Sequence, residues 1–229
     1  GIVVTNVPDY CVEEVAEHAL ALIFALGRKV AAYHAATKGG TYDLKAQLPV
    51  ERISGKTLGV VGLGRIGVRL AELGQALGMR VVGTNRSRRV PPGVAWATLD
   101  ELLEVSDFVS LQVPLTDATR LLINQDALKR MKPSAFLINT SRGGLVDHAA
   151  LAESLVQGKI AGAGLDVQTP EPPQLGDPPY CDPRVIVTPH VAFQSSEATA
   201  ELRMRVARQT AAYLGGQSPE NVVNPTVLA

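Results

Sequence analysis

The chain has 229 residues, 46% of them hydrophobic, with 21 Gly and 15 Pro, which suits a sizeable core punctuated by loops and excludes a disordered chain. Its 22 basic and 22 acidic residues cancel, so no net field attracts a polyanion, and binding to nucleic acid or to an acidic membrane surface is disfavoured. The partner to expect is a small soluble molecule. Cys11 and Cys181 have neither metal nor redox spacing and no nearby His, so they read as two free thiols of a cytoplasmic protein and offer no metal site.

Gly1–Asn6 is strand-like, with no initiator Met and no earlier strand to pair with, and reads as the interior of a longer polypeptide. No charged, apolar and small-residue leader precedes it, which predicts an unexported protein. Val12–His34 reads as one long helix, acidic early at Glu13, Glu14 and Glu17 and basic late at Arg28 and Lys29, as the macrodipole favours. Its middle, Ala19–Leu26, is apolar on every face yet too short to span a bilayer. A helix apolar all round needs cover all round, so it predicts a subunit interface beside the core contact, and hence a homodimer. Lys38–Arg52, polar and carrying Gly39, Gly40 and Pro49, reads as a loop.

From Leu58 onward, apolar runs alternate with helical segments. Leu58–Val61, Arg80–Gly83, Asp107–Val113, Ala135–Asn139, Ala161–Val167 and Val185–Thr188 read as strands, with a short one at Val94–Trp96. Between them Ile66, Leu70, Leu73 and Leu77 fall at helical spacing, as do Leu99, Leu102 and Leu103, and then Leu151, Leu155 and Val156. The alternation predicts an α/β fold, a doubly wound parallel sheet with helices on both faces. Ser195–Leu214 reads as a final amphipathic helix before a short tail. The expected division is residues 1–9 as a remnant strand, 10–194 as a dinucleotide-binding domain with its linker helix at 12–35, and 195–229 as a helix and tail.

Gly62, Gly64 and Gly67 form G-x-G-x-x-G after the first of these strands and at the head of a helix, the context in which this otherwise weak motif signals a dinucleotide site. Gly62 permits the turn, Gly64 lets a pyrophosphate approach, Gly67 lets the helix pack close, and Arg65 and Ile66 open the helix whose N–H groups face the phosphates. Where an NAD site places Asp or Glu at the end of the second strand, this chain has Asn85, Arg86 and Ser87. An acid there would repel a 2'-phosphate by about 1 kcal/mol at 4 Å in water and about 4 kcal/mol at an effective dielectric of 20. NADP is therefore expected over NAD, with Arg86 stacking on adenine or gripping the phosphate; the alternative is an arginine cluster solvated on a loop.

Arg142, Asp166 and His190 each stand at the end of a predicted strand, the edge where open α/β sheets bind ligands, and Glu171 follows Asp166 by five residues. An Arg can grip a substrate carboxylate bidentately, and a His can give a proton to a carbonyl oxygen near neutral pH. Pro170 and Pro172 restrict the backbone around Glu171, which suits a carboxylate that must hold an orientation. Taken singly, Arg142 also fits an ordinary loop arginine and Glu171 a turn acid. His18 and His34 on the long helix and His148 at a helix start read as structural or solvent-facing.

Four ordered blocks, GVVGLGRIG, NTSRGGLVD, GLDVQTPEP and VIVTPHVA, resemble the D-isomer-specific 2-hydroxyacid dehydrogenases, and the likeness covers essentially the whole chain. That family includes glyoxylate and hydroxypyruvate reductases, phosphoglycerate dehydrogenase and the C-terminal-binding-protein corepressors. The resemblance implies that Arg142 binds a 2-keto or 2-hydroxy acid, that Glu171 orients His190, and that His190 is the acid–base. It further implies that Asp166 holds the nicotinamide end and that Val113, Pro114, Thr119 and Thr140 line the cofactor. It also implies a flavodoxin-like substrate domain, of which only Gly1–Asn6 and the tail would be remnants, so this chain alone would be a coenzyme-domain fragment without full turnover. Gln168 stands where many relatives carry an aromatic residue, and Phe193 follows His190 closely. The corepressor branch leaves a second reading, a dinucleotide-sensing module that dimerises; the full Arg142, Glu171 and His190 set favours catalysis.

Overall fold

Every residue of β1 (Thr57–Val61) is buried, as a strand covered on both faces requires. A computed structural model, which describes residues 1–228, builds around it a seven-stranded sheet in which every pairing is parallel. The other strands are β2 (Arg80–Thr84), β3 (Val94–Trp96), β4 (Phe108–Leu111), β5 (Phe136–Asn139), β6 (Gly162–Leu165) and β7 (Val185–Val187), in the order β3-β2-β1-β4-β5-β6-β7. The chain runs outward from β1 to β3 and then returns to β1's other side at β4. That reversal opens a crevice beyond the carboxyl ends of β1 and β4, where ligands of such sheets bind.

Parallel strands need helical crossovers, and the helices cover both faces. One apolar layer takes Ala16, Ala19, Leu22, Ile23 and Leu26 from α1 (Val12–Gly27) and Leu70 and Ala71 from α3 (Arg65–Ala76). The other takes Leu102 and Leu103 from α4 (Leu99–Val105), Ala127 and Leu128 from α5 (Gln125–Arg130), and Leu151 and Leu155 from α6 (His148–Val156). Between α1 and α3 lies α2 (Val30–Lys38), and α7 (Ser196–Leu214) closes the helical set. The helix starts follow local chemistry. Thr98 and Glu101 form a reciprocal capping box on α4, and the Asn124 side chain accepts from the Asp126 and Ala127 N–H groups to start α5. The sequence reading passed over α5, whose six residues are too short to show a period.

The structure corrects several expectations. The helix over Val12–His34 is two helices: α1 ends at Gly27, Lys29 turns left-handed with φ 54°, and α2 starts at Val30. Gly27, itself a weak helix former, is packed so closely that a Cβ there would stand 2.6 Å from Ile53 Cδ1 and 2.9 Å from Phe108 Cζ, so no side chain fits where α1 ends. Gly1–Asn6 forms no strand; it pairs through a single antiparallel bridge, Thr5 with Val222, flanked by hydrogen bonds from Val223 to Val4 and from Asn6 to Asn221. Val156 is exposed, unlike Leu151 and Leu155. β4 and β6 stop two residues short of the predicted runs, because the chain turns off the sheet at Gln112 and Asp166 to build the site. Residues 39–52 carry turns only, as the loop reading anticipates.

The chain forms two compact units, Val15–Ala192 with the sheet, and Gly1–Glu14 with the chain from Phe193 onward. In the smaller unit Arg205 pairs with Asp9, Glu201 and Glu220, and Gln209 donates to the Asn6 carbonyl at 3.2 Å. No described helix is long and apolar enough to cross a membrane.

Candidate active site

Three glycines divide the labour at the β1–α3 turn. Gly62 has φ 101°, which L side chains rarely adopt, and any Cβ there would strike the Gln112 carbonyl and Val113. A Cβ on Gly67 would strike the Gly62 carbonyl, so the helix can sit this close only because Gly67 has none. Gly64 is different: a Cβ there meets nothing within 4 Å. It faces open space, is the N-cap of α3, and lends no side chain to the helix's first N–H groups. That combination of an open cradle and unsatisfied donors fits a pyrophosphate. Arg65 is exposed beside it and Ile66 half-buried.

At the end of β2, Asn85 donates through Nδ2 to the Arg89 carbonyl at 2.6 Å, while its Oδ1 is buried without a partner among the described residues. A buried acceptor left open costs about 1–3 kcal/mol, and a ribose hydroxyl is the group such an acceptor would take. Arg86 and Ser87 are exposed. Arg88 lies 4.8 Å over the Trp96 ring, so that arginine has a packing role.

Across the crevice Val113 abuts Gly62, and Gln112 donates to Ser110 Oγ at 3.0 Å and Thr140 Oγ1 at 3.1 Å. Thr119 Oγ1 donates to the Pro114 carbonyl at 2.7 Å and accepts from the Thr116 N–H at 2.8 Å, closing the loop that starts at Pro114. Beyond β5, the Asn139 side chain accepts from Ser141 N–H and donates to the Arg142 carbonyl, fixing the turn that carries Arg142. The exposed Arg142 guanidinium donates to the Ser141 carbonyl at 2.6 Å. The structure therefore puts Arg142 on the predicted edge, with its guanidinium bonded to Ser141 rather than to Glu171 or His190.

Glu171 and His190 do meet: His190 Nδ1 lies 2.9 Å from Glu171 Oε2. The other Glu171 oxygen accepts from the Gln168 N–H at 2.9 Å, so both are held. Burial pushes the Glu171 carboxyl up, but the Gln168 N–H and the His190 ring more than offset this and leave it below the usual carboxylate range. Gln168 is itself buried, and its side-chain amide donates to the Leu165 and Thr188 carbonyls, tying the ends of β6 and β7. An aromatic ring could not make those bonds.

His190 has φ 55°, a left-handed backbone that costs a non-glycine residue on the order of 1–3 kcal/mol and persists only where its surroundings impose it. Asp166 imposes it. Its carbonyl accepts the His190 N–H at 2.8 Å; its Oδ1 accepts the Val191 N–H at 3.0 Å and the Thr188 hydroxyl at 2.6 Å; its Oδ2 accepts the Ala192 N–H at 2.9 Å. Asp166 is fully buried, and these bonds give both of its side-chain oxygens a partner. Thr188 and His18, absent from the sequence-based site, belong to this cluster, because His18 Nε2 lies 3.0 Å from Thr188 Oγ1. The one signal in sequence was an imidazole bordering the apolar run of α1.

Comparison with known proteins agrees with this geometry. Residues 20–192 match the pattern of the "D-isomer specific 2-hydroxyacid dehydrogenase, NAD binding domain". The chain is 41% identical to a glycerate dehydrogenase of Methylorubrum extorquens over 97% of its own length and 72% of that protein. It is also 41% identical to a glyoxylate reductase of Aeropyrum pernix, over 100% of this chain and 71% of the relative. An acyclic imino acid reductase solved with NADPH and D-Arg superposes with a TM-score of 0.88 at 36% identity, covering 97% of this chain and 71% of that one. The chain belongs to the D-isomer specific 2-hydroxyacid dehydrogenases, oxidoreductases that pass a hydride between a nicotinamide dinucleotide and a 2-keto or 2-hydroxy acid.

Proposed function

We propose that this protein reduces a small 2-keto acid such as glyoxylate or hydroxypyruvate, with NADPH preferred over NADH. The observation that carries the reading is the 2.9 Å contact between His190 and Glu171 on a backbone that Asp166 holds in an unfavourable conformation. With Nδ1 turned to Glu171, Nε2 is the ring nitrogen that gives its proton to the substrate carbonyl oxygen. Arg142 pairs with the substrate carboxylate by swinging its exposed guanidinium off the Ser141 carbonyl.

Gly62, Gly64, Arg65, Ile66 and Gly67 hold the pyrophosphate, and the dinucleotide supplies the hydride when bound. Val113, Pro114, Thr119 and Thr140 line its nicotinamide half, and Asp166 serves that end by holding the His190 loop. Asn85, Arg86 and Ser87 receive the ribose and its 2'-phosphate, since no acid stands there to repel it. The chain spans 71–72% of the length of these relatives. The molecule is a cytoplasmic homodimer joined through α1, on which Leu20, Ala21 and Phe24 are not fully covered, and its two free thiols suit a reducing compartment.

The test is oxidation of NADPH and of NADH with glyoxylate, hydroxypyruvate and pyruvate, run on this chain and on the full-length protein. Turnover with glyoxylate or hydroxypyruvate and a higher kcat/KM for NADPH is expected. Faster turnover with NADH ends the cofactor assignment, and no turnover with any 2-keto acid ends the substrate assignment.

A further inference from the structure

We infer that His18 is a positioning residue for His190, acting through Thr188 and Asp166 from a helix 170 residues away in sequence. The hydrogen count carries this. Thr188 has one hydroxyl proton, and it goes to Asp166 Oδ1 at 2.6 Å. Its oxygen can therefore only accept from His18, so Nε2 of His18, 3.0 Å away, bears a hydrogen. The reverse arrangement would leave the Thr188 oxygen 2.6 Å from a carboxylate oxygen with no proton between them.

His18 is thus the head of a chain of donors ending on the Asp166 carboxylate, which holds Val191 and Ala192 directly after His190. An accepting hydroxyl is a stronger donor, so the His18 N–H strengthens the Thr188 bond to Asp166. It also stops the hydroxyl from rotating away. His18 Nε2 is itself 3.6 Å from Asp166 Oδ1, so the three side chains form one compact cluster. The three N–H groups bound to Asp166 are those of His190, Val191 and Ala192, the residues that carry the left-handed turn.

The fold presents His18 at this point by close packing. One helical turn further on, Leu22 lies against Gly164 of β6, where any Cβ would stand 3.1 Å from the Leu22 Cβ. Gly164 lets α1 come near enough for His18 to reach the end of β7. Val15, Ala19 and Leu22 beside His18 are all buried, so the imidazole is carried on a rigid element.

The kinetic arm of the test rests on the dehydrogenase reading above; the spectroscopic arm does not. Both use full-length protein. His18→Ala and Thr188→Val should lower kcat with a 2-keto acid by roughly tenfold or more, since small misplacement of a catalytic group costs up to about 10²-fold. KM for the dinucleotide and its affinity should stay within about twofold, because neither residue lies at the β1–α3 turn. In nitrogen-15 spectra the His190 Nδ1–H signal, which reports its bond to Glu171, should broaden or vanish in both variants. His18→Gln, whose amide can donate from the same place, should keep that signal and recover most of kcat. If His18→Ala does not fold, Thr188→Val and His18→Gln still decide the matter. The inference fails if Thr188→Val keeps both kcat and the Nδ1–H signal, or if folded His18→Gln loses both. Wild-type protein that reduces no 2-keto acid, while its His190 signal still depends on His18, would overturn the function and leave the positioning intact.

Discussion

His190, Glu171 and the glycines of the β1–α3 turn do separable work, so single substitutions should separate it. Replacing His190 by Ala removes the proton donor and nothing that holds the dinucleotide. Turnover should fall by roughly 10²- to 10⁴-fold while dinucleotide affinity, measured by fluorescence titration, is unchanged. Gly64→Ala and Gly67→Ala should behave differently from each other. The Gly64 backbone, φ −77°, accepts any residue, and an added Cβ meets only open space, so the variant should fold with wild-type Tm yet bind NADPH at least about tenfold more weakly, one methyl group displacing a phosphate from its donors. Gly67→Ala drives a methyl into the Gly62 carbonyl and should cost stability as well, by about 1–3 kcal/mol. Equal Tm losses in the two variants would contradict this division. Sequence revealed the pair His190 and Glu171 because each closes a recognisable block, and it singled out Asp166 without showing what that carboxylate binds. The carboxylate accepts hydrogen bonds from Thr188, Val191 and Ala192, a relation visible only once β6 and β7 are adjacent.

Among the elements, the sheet's amino edge depends on Asp107, just before β4. Its Oδ2 accepts the Thr57 N–H at 2.8 Å and its Oδ1 pairs with Lys132 at 2.9 Å, while its backbone bonds to Thr57 and Phe136. One residue therefore joins the starts of β1, β4 and β5. Burial raises its pKa, but the Thr57 N–H, Lys132 and Lys56 outweigh that and hold it below the usual carboxylate value. A carboxyl depressed in the fold contributes stability that is fully present above its unfolded pKa and is lost as pH falls through the folded one. Asp107→Asn should thus cost about 1–3 kcal/mol at pH 7, read from the urea midpoint, with the gap to wild type closing below about pH 4. A gap independent of pH would show that the charge is not what matters. The α1–α2 break was hidden from sequence for a related reason. Gly27 is a weak helix former, but the apolar run around it does not reveal that it packs directly against Ile53 and Phe108.

For the molecule as a whole, α1 is covered on one side only. Its inward face is fully buried, and the stripe of Leu20, Ala21 and Phe24 is the apolar surface the single chain leaves partly open. Ala21→Arg should leave the Tm of the single chain nearly unchanged, because Ala21 is exposed in it. In a dimer joined through α1 the same change buries an unpaired charge, costing about 3–5 kcal/mol, and should weaken association by roughly 100-fold or more. Sedimentation velocity at micromolar concentration checks both halves. A wild-type chain that is already monomeric there would remove α1 as an interface.

Sequence alone determined the sheet, its parallel sense, the dinucleotide turn and the chain order of the catalytic candidates, because each is written in short-range pattern: apolar runs of strand length, helical spacing, and glycines at fixed offsets. Only the tertiary structure decided where α1 ends, that Gly1–Asn6 pairs with the distant segment near Val222, and that His18, Thr188 and Asp166 form one cluster behind His190. Those outcomes turn on contacts between residues far apart in the chain. Such contacts are set by how closely helices and strands can pack, and no local run of residues encodes that distance.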